Sequence, residues 1–171
     1  MLMSLRSLVT ALMGSLFFIA FALYFVVSTD EGAFEAPPAW VLLVQVGAGL
    51  VLHVLISAVG YRTAPITPGT PPEIAGRTSV AAMSTGTILR GALSESVAIA
   101  SLALAFIVTE GPFVTYLGGA VVSLLLFALH AYPSERTISR TEASLERDGG
   151  TSYLRRRLGL STRPPGAIEE L

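Results

Sequence analysis

Four long apolar stretches restrict what this chain can fold into. They lie near residues 8–28, 40–61, 85–108 and 113–132, and each supplies about the 20 helical residues needed to cross a hydrocarbon core. The chain is 52% hydrophobic and only 13% charged, with a mean hydropathy of +0.67, outside the range of soluble domains. Because lipid cannot satisfy backbone polar groups, the sequence predicts an all-α fold, a four-helix transmembrane bundle over residues 1–132.

The arginines predict the orientation of these helices. Arg6 precedes the first stretch and Arg62 and Arg77 lie between the second and third, whereas the connections after the first and third stretches contain no arginine. The positive-inside rule therefore predicts that both termini are cytoplasmic. Lysine is absent, and basic residues that are all arginine suggest a GC-rich bacterial genome and hence a bacterial inner membrane. Trp40 begins the second stretch, and Tyr61 and Tyr132 end the second and fourth. All three are predicted to lie at the membrane interfaces.

The connections are expected to be irregular. The segment 62–83 contains Pro65, Pro68, Pro71 and Pro72, which favour an extended spacer over a docking motif. The cytoplasmic tail, residues 133–171, is predicted to be partly disordered, with one short helix opened by Ser134 and ended by Gly149 and Gly150.

The run SYLRRRLGL, residues 152–160, has two possible interpretations. Arg155, Arg156 and Arg157 beside Tyr153, Leu154 and Leu158 could lie on an anionic lipid surface. Equally, the run could belong to a solvated, partly disordered tail, as is expected of STRPPGAIEEL, residues 161–171.

Small residues predict how the helices pack, because association in lipid depends on close backbone approach and on polar side chains that find partners. The third stretch has a stripe with spacings of three and four residues, and the first and fourth have small residues every four. These residues are Gly91, Ser94, Ala98, Ser101 and Ala105; Ser7, Ala11 and Ser15; and Thr115, Gly119 and Ser123.

The third stretch also carries two ionisable residues. Arg90 lies about 6 Å inside its cytoplasmic end, so its side chain is expected to reach the headgroups. Glu95 lies about 13 to 15 Å deep, near the midplane, and must be protonated, paired or in a wet cavity. A proton or ion site and a polar clasp that fixes helix register are both open interpretations.

The second stretch offers a partner for Glu95. Gln45, Gly49 and His53 recur every four residues, and His53 is predicted at nearly the depth of Glu95, so the two could form a hydrogen bond. His130 is expected at the interface. Its predicted depth differs from that of His53 by about 8 Å, which argues against a bis-histidine haem.

The segment GALSESVAIASLALAFI, residues 91–107, resembles the carboxylate-bearing outer helix of the proteolipid subunit c of rotary ATP synthases, where a Gly-x-Ala-Leu-x-Glu-like run precedes an apolar stretch. On that resemblance, Glu95 would be the ion-carrying carboxylate. The chain also looks like uncharacterised bacterial four-helix membrane proteins with an acidic third helix and a Pro-Ser/Thr-x-Arg exit from the fourth, here Pro133 to Arg136.

These patterns favour a small integral membrane protein that is a structural or accessory component, forming a homo-oligomer or joining a larger membrane complex, with Glu95 as a clasp. The alternative is a proton- or cation-coupled carrier that uses Glu95. Cysteine is absent, and no cofactor, metal or nucleic-acid motif is found. No catalytic constellation has an interpretable spacing, so an enzyme is the least favoured class.

Overall fold

The computed structural model describes residues 1–160, and every regular element in that range is helical. The chain forms α1 (Leu2–Val27), α2 (Ala39–Val59), α3 (Pro72–Ala105) and α4 (Pro112–Leu126), and α4 continues into a π-helical turn (Phe127–Ala131). Two shorter helices follow, α5 (Glu135–Glu146) and α6 (Leu154–Arg157). The prediction of an all-α fold with four helices long and apolar enough to span a membrane is confirmed. The predicted disorder of residues 161–171 lies outside the described residues.

Helices α3 and α4 form the central pair of the bundle. Gly119 of α4 faces Ser101, and the Ser123 hydroxyl accepts a hydrogen bond from the backbone N–H of Ala98 at 2.9 Å. The whole small-residue stripe of α3 is buried. Any side chain at Gly119 would collide with Ser101, so this glycine permits the close approach of the two backbones.

Helices α1 and α2 pack on two different seams of this pair. The Tyr116 hydroxyl of α4 donates a hydrogen bond to the carbonyl of Leu16 on α1 at 2.8 Å. On the other seam, Gly49 of α2 faces Val122 of α4. The two connections at one end are tied together, because the backbone N–H of Gly111 donates to Gly32 O at 3.2 Å. We call this end the far side, and the opposite end, with residues 60–71 and α5, the tail side.

Within residues 1–160, the small face predicted for α1 is not an internal contact. Ser7 and Ala11 are exposed and Ser15 is half-buried, whereas Val9, Leu16 and Leu23, spaced seven residues apart, are buried in the main core. Helix α1 thus packs through branched apolar side chains against Tyr116 of α4 and Phe127 of the π-helical turn. Small residues permit close approach without requiring it, so the spacing alone could not identify the buried face.

The prediction that residues 62–83 form an extended spacer is wrong for its second half. Helix α3 begins at Pro72, not near Thr85, and runs for 34 residues. Proline is well tolerated in the first helical turn, where its missing N–H would be unpaired anyway. About 27 Å of α3 therefore lies on the tail side of Arg90.

The tail packs against this protruding part of α3. Ser134 caps α5 and forms a capping box with Thr137, as the position of Ser134 predicts. A second apolar core joins α5 and α6 to α3 and to the start of α1. Its main members are Leu2, Leu5, Ile66, Ala75, Met83, Ile138, Leu145, Leu154 and Leu158.

Both interpretations of residues 152–160 are corrected by this core. Leu154 and Leu158 are buried in it, so they present no apolar face to lipid and do not form a disordered tail. Arg155 is ion-paired with Glu142 at 2.8 Å and with Glu135. Arg157 lies over Gly76 of α3, and Arg156 is exposed. Sequence composition could not reveal that the leucines have an internal core to join.

Candidate functional site: a polar cluster at the tail-side end of the bundle

Arg90 is the centre of a buried polar cluster at the level where α2 and α4 end. Its side chain is only 1% exposed, so the expectation that it reaches the headgroups is wrong. Its Nε donates to the carbonyl of His130 at 2.8 Å and its Nη1 to the carbonyl of Gly60 at 3.0 Å. Nη2 donates to the Thr87 hydroxyl at 3.3 Å. The guanidinium therefore joins three helices.

The two carbonyls that Arg90 contacts lie at the C-terminal ends of two parallel helices. Gly60 is the C-cap of α2, and His130 is in the π-helical turn that ends α4. Terminal carbonyls have no partner within their own helix and carry the negative end of the helix dipole. A guanidinium has its five N–H donors in a fixed fork, so a single arginine can cap both helices.

Tyr61 completes the polar environment of Arg90. Two guanidinium groups lie over its ring, with Arg90 Cζ 4.5 Å and Arg140 Cζ 5.1 Å from the ring centroid. Tyr61 lies just past the end of α2 and is only 7% exposed. Its hydroxyl lies 3.2 Å from His130 Nδ1 and 3.4 Å from the His130 carbonyl.

His130 and His53 form a hydrogen-bonded pair. His130 Nε2 and His53 Nδ1 are 2.9 Å apart, and His130 is fully buried. The two side chains therefore meet despite the depth difference of about 8 Å that the helix rise predicts. That depth difference counted only the rise of each backbone. It left out the reach of the two side chains and the π-helical turn, which changes the register at the end of α4.

Gln45 joins helices at a different level. Its Nε2 donates to the Ser101 hydroxyl at 3.0 Å and to the Thr115 carbonyl at 2.7 Å, linking α2 to α3 and α4. Gln45 lies two helical turns from His53, so Gln45, His53 and Glu95 do not form a single site. The four-residue repeat of α2 does mark one face, but that face lies mainly against α4.

Glu95 is half-buried and has no hydrogen bond or ion pair within residues 1–160. It follows Gly91, which faces Phe127 of the π-helical turn and Leu12 of α1, by one turn. Glu95 therefore lies near the seam between α1 and α3. The expected hydrogen bond with His53 is absent, because His53 contacts His130 where α2 meets α4, whereas Glu95 lies near α1.

Outside the four-helix bundle, charged side chains of α5 and α6 form a small network. Arg155 bonds both Glu142 and Glu135 and joins α6 to α5. The hydrogen bond from Arg155 holds the pKa of the Glu135 carboxyl below its ordinary value, and the same contacts raise the pKa of Arg155. Trp40, by contrast, is exposed at the start of α2, and Tyr132 is half-buried at the end of α4 near Arg6.

The fold and cluster thus define a helical protein with four helices able to span a membrane and a buried arginine at one end of the bundle. No protein family, curated protein or solved structure matches the chain. Sequence reasoning missed the cluster because Arg90, Tyr61 and His130 each seemed explained by the interface. The signal that could have identified it is their shared position at one end of three helices.

Proposed function

We propose that this chain is a non-enzymatic, multi-pass protein of a bacterial inner membrane with both termini in the cytoplasm, and that it is a structural or accessory component of a larger membrane assembly. The observation that carries this proposal is Glu95. A carboxyl group in the middle of a membrane-spanning helix needs a partner, and residues 1–160 supply none. A polar group on a helix of a second subunit would meet this need.

The distribution of the other polar residues supports this assignment. Arg90 and Gln45 are directed inward and form hydrogen bonds between the helices of one chain. These interhelical hydrogen bonds do not involve Glu95. On this proposal Glu95 is a polar anchor between subunits and not the clasp within one chain that the sequence predicts. The exposed residues Ser7 and Ala11 on α1 add a surface on which another helix can approach closely.

The experiment that tests this proposal compares three variants in native membrane nanodiscs. Glu95→Leu should release the chain from its assembly, Glu95→Gln should retain part of the association through its amide, and Ser96→Leu, an exposed neighbour on the same helix, should have no effect. Native mass spectrometry measures the mass of the assembly. An assembly unchanged in Glu95→Leu would refute the proposal.

The second candidate is a proton- or cation-coupled carrier, favoured by the same half-buried carboxyl if it exchanges an ion at the midplane. The resemblance of residues 91–107 to subunit c supports this alternative. Loss of ion flux in reconstituted Glu95→Gln with folding retained would favour the carrier, and undiminished flux would count against it.

A further inference from the structure

Three titratable side chains form one unbroken hydrogen-bonded chain from the tail-side end of α2 into the membrane-spanning region. Tyr61 Oη is 3.2 Å from His130 Nδ1, and His130 Nε2 is 2.9 Å from His53 Nδ1. The remaining ring nitrogen, His53 Nε2, has no hydrogen-bond partner within residues 1–160. His53 lies about six residues inside the end of α2, or roughly 9 Å from it along the helix.

His53 is the only polar side chain lining a groove between α2 and α4. The groove has a volume of about 230 Å³, and its other walls are apolar. The lining residues are Val46, Gly49, Leu50, Val122, Leu125, Leu126 and Leu129. This volume is below the range of about 300–1,000 Å³ that is typical of sites for drug-sized molecules, so the groove suits a single hydrocarbon chain. Leu50 and Leu125 are more than half exposed, so the groove is open on the outer surface of the bundle.

The geometry permits two proton arrangements that differ by one shift along the chain. An N···N hydrogen bond requires one bare ring nitrogen, so His53 Nδ1–H can donate to His130 Nε2 or the reverse. In the first arrangement His130 Nδ1–H donates to Tyr61 Oη, and the Tyr61 proton can go to the His130 carbonyl. In the second, Tyr61 donates to His130 Nδ1. Tyr61 thus has a hydrogen-bond partner in both arrangements.

We propose that Tyr61, His130 and His53 form a proton relay serving a membrane-soluble carboxylic acid whose hydrocarbon chain occupies the α2–α4 groove and whose carboxyl group meets His53 Nε2. The acid gives its proton to His53 Nε2 and becomes a carboxylate. The Nδ1 proton of His53 moves to His130 Nε2, the Nδ1 proton of His130 moves to Tyr61, and Tyr61 releases its own proton to tail-side water. One proton is transferred in total, and both histidine tautomers are inverted.

The charges around the relay favour this direction. Arg90 from α3 and Arg136 and Arg140 from α5 act electrostatically on His130, whose neighbours in the relay are Tyr61 and His53. None of these three arginines forms an ion pair with a carboxylate within the described residues. A positive environment stabilises the carboxylate that remains after the acid has lost its proton. Arg90 also fixes the His130 carbonyl, which holds the π-helical turn in place.

The test uses the full chain, ¹⁵N-labelled at histidine, in phosphatidylcholine vesicles, with lauric acid ¹³C-labelled at its carboxyl as the probe. The chain has only two histidines, so single substitutions assign both rings. Solid-state NMR measures the dipolar contact between the carboxyl carbon and each ring nitrogen, together with the tautomer of each ring. We expect contact with His53 Nε2 and inversion of both tautomers from Nδ1–H to Nε2–H.

Three variants and one matched control make the result specific. Tyr61→Phe should keep the contact but stop the inversion at His130, because the last proton acceptor is gone. His53→Leu should weaken lauric acid binding by at least about tenfold, the value expected for one hydrogen bond to a charged group. Leu125→Trp should fill the groove and abolish the contact, whereas Leu117→Trp, on the same helix outside the groove, should leave it intact. Absence of any contact would mean that ordinary bilayer lipid occupies the groove and would overturn the proposal. A contact that survives Leu125→Trp would mean that the acid reaches His53 without the groove and would overturn it as well. Tautomer inversion that proceeds equally in Tyr61→Phe would also overturn the proposal.

Discussion

Replacing Arg90 with methionine should destabilise the bundle more than the same replacement of Arg77, the other arginine on α3. Methionine keeps much of the volume and the apolar stem of arginine but removes all five donors. The buried carbonyl of Gly60 would then lose its partner, and the carbonyl of His130 would keep only the Tyr61 hydroxyl at 3.4 Å. Arg90→Lys should be intermediate, because a single ammonium lacks the forked geometry that caps both helices.

The size of the effect can be bracketed in two ways. The two hydrogen bonds that Arg90 makes to other helices, at the average of about 0.6 kcal/mol measured between membrane helices, give a lower limit of roughly 1 kcal/mol. Two buried carbonyls that lose the Arg90 donors, at no more than about 3 kcal/mol each, give an upper limit of roughly 6 kcal/mol. Burying the Arg90 charge is itself unfavourable, so replacing it with a neutral side chain offsets part of the lost stability. We therefore expect a loss of about 2–4 kcal/mol in the free energy of unfolding.

The assay is reversible unfolding in mixed micelles with increasing dodecyl sulfate, followed by circular dichroism. Arg77→Met is the matched control, because Arg77 is an exposed arginine on the same helix and should change stability by less than about 0.5 kcal/mol. If Arg90→Met and Arg77→Met lose the same stability, then the two carbonyls find other partners and the capping role of Arg90 is refuted.

Two further predictions concern packing and the tail. Gly119→Ala should lower the free energy of unfolding by about 1–3 kcal/mol, because the added methyl group forces α3 away from α4. In the same unfolding assay, Gly14→Ala should be close to neutral, because a methyl group there meets nothing within 4 Å. Equal effects of the two substitutions would refute the close approach of α3 and α4. In the folded tail, the hydrogen bond from Arg155 lowers the pKa of Glu135. The ionised Glu135 therefore stabilises the folded tail at pH values above the ordinary glutamate pKa. This stabilisation is lost as the pH falls through the lowered pKa of the folded state. The NMR signals of the Leu158 methyl groups should therefore report weaker docking of α6 on acidification. Arg155→Gln should remove this pH dependence, whereas Arg156→Gln should keep it. The same pH dependence in both variants would contradict the pairing of Arg155 with Glu135.

The parts of the fold that were predictable are those that depend on local sequence. Four apolar stretches of sufficient length predict four helices, and Ser134 before a helical pattern predicts the start of α5. The early start of α3 was missed because the Pro71-Pro72 pair was interpreted as part of an extended spacer, whereas Pro72 lies in the first turn of a helix.

The candidate site was less predictable, because its residues come from helices that are far apart in the chain. The depth of His53 and His130 could be estimated from helix rise, but the register between parallel helices depends on which small residues allow close approach, such as Gly49 against Val122. The same limit applies to Arg90. A long basic side chain near a helix end is compatible with headgroups and with backbone carbonyls, and only the positions of Gly60 and His130 decide between them.

The measurement that tests the central claim most directly is carbodiimide labelling of Glu95 at neutral pH, with Glu95→Gln as the blank. We predict that Glu95 is protected in native membranes, where a partner subunit covers it, and becomes reactive once the chain is dispersed as a monomer in detergent. Equally rapid labelling in both states, suppressed at high pH, would contradict the account and indicate an exposed, protonatable ion site.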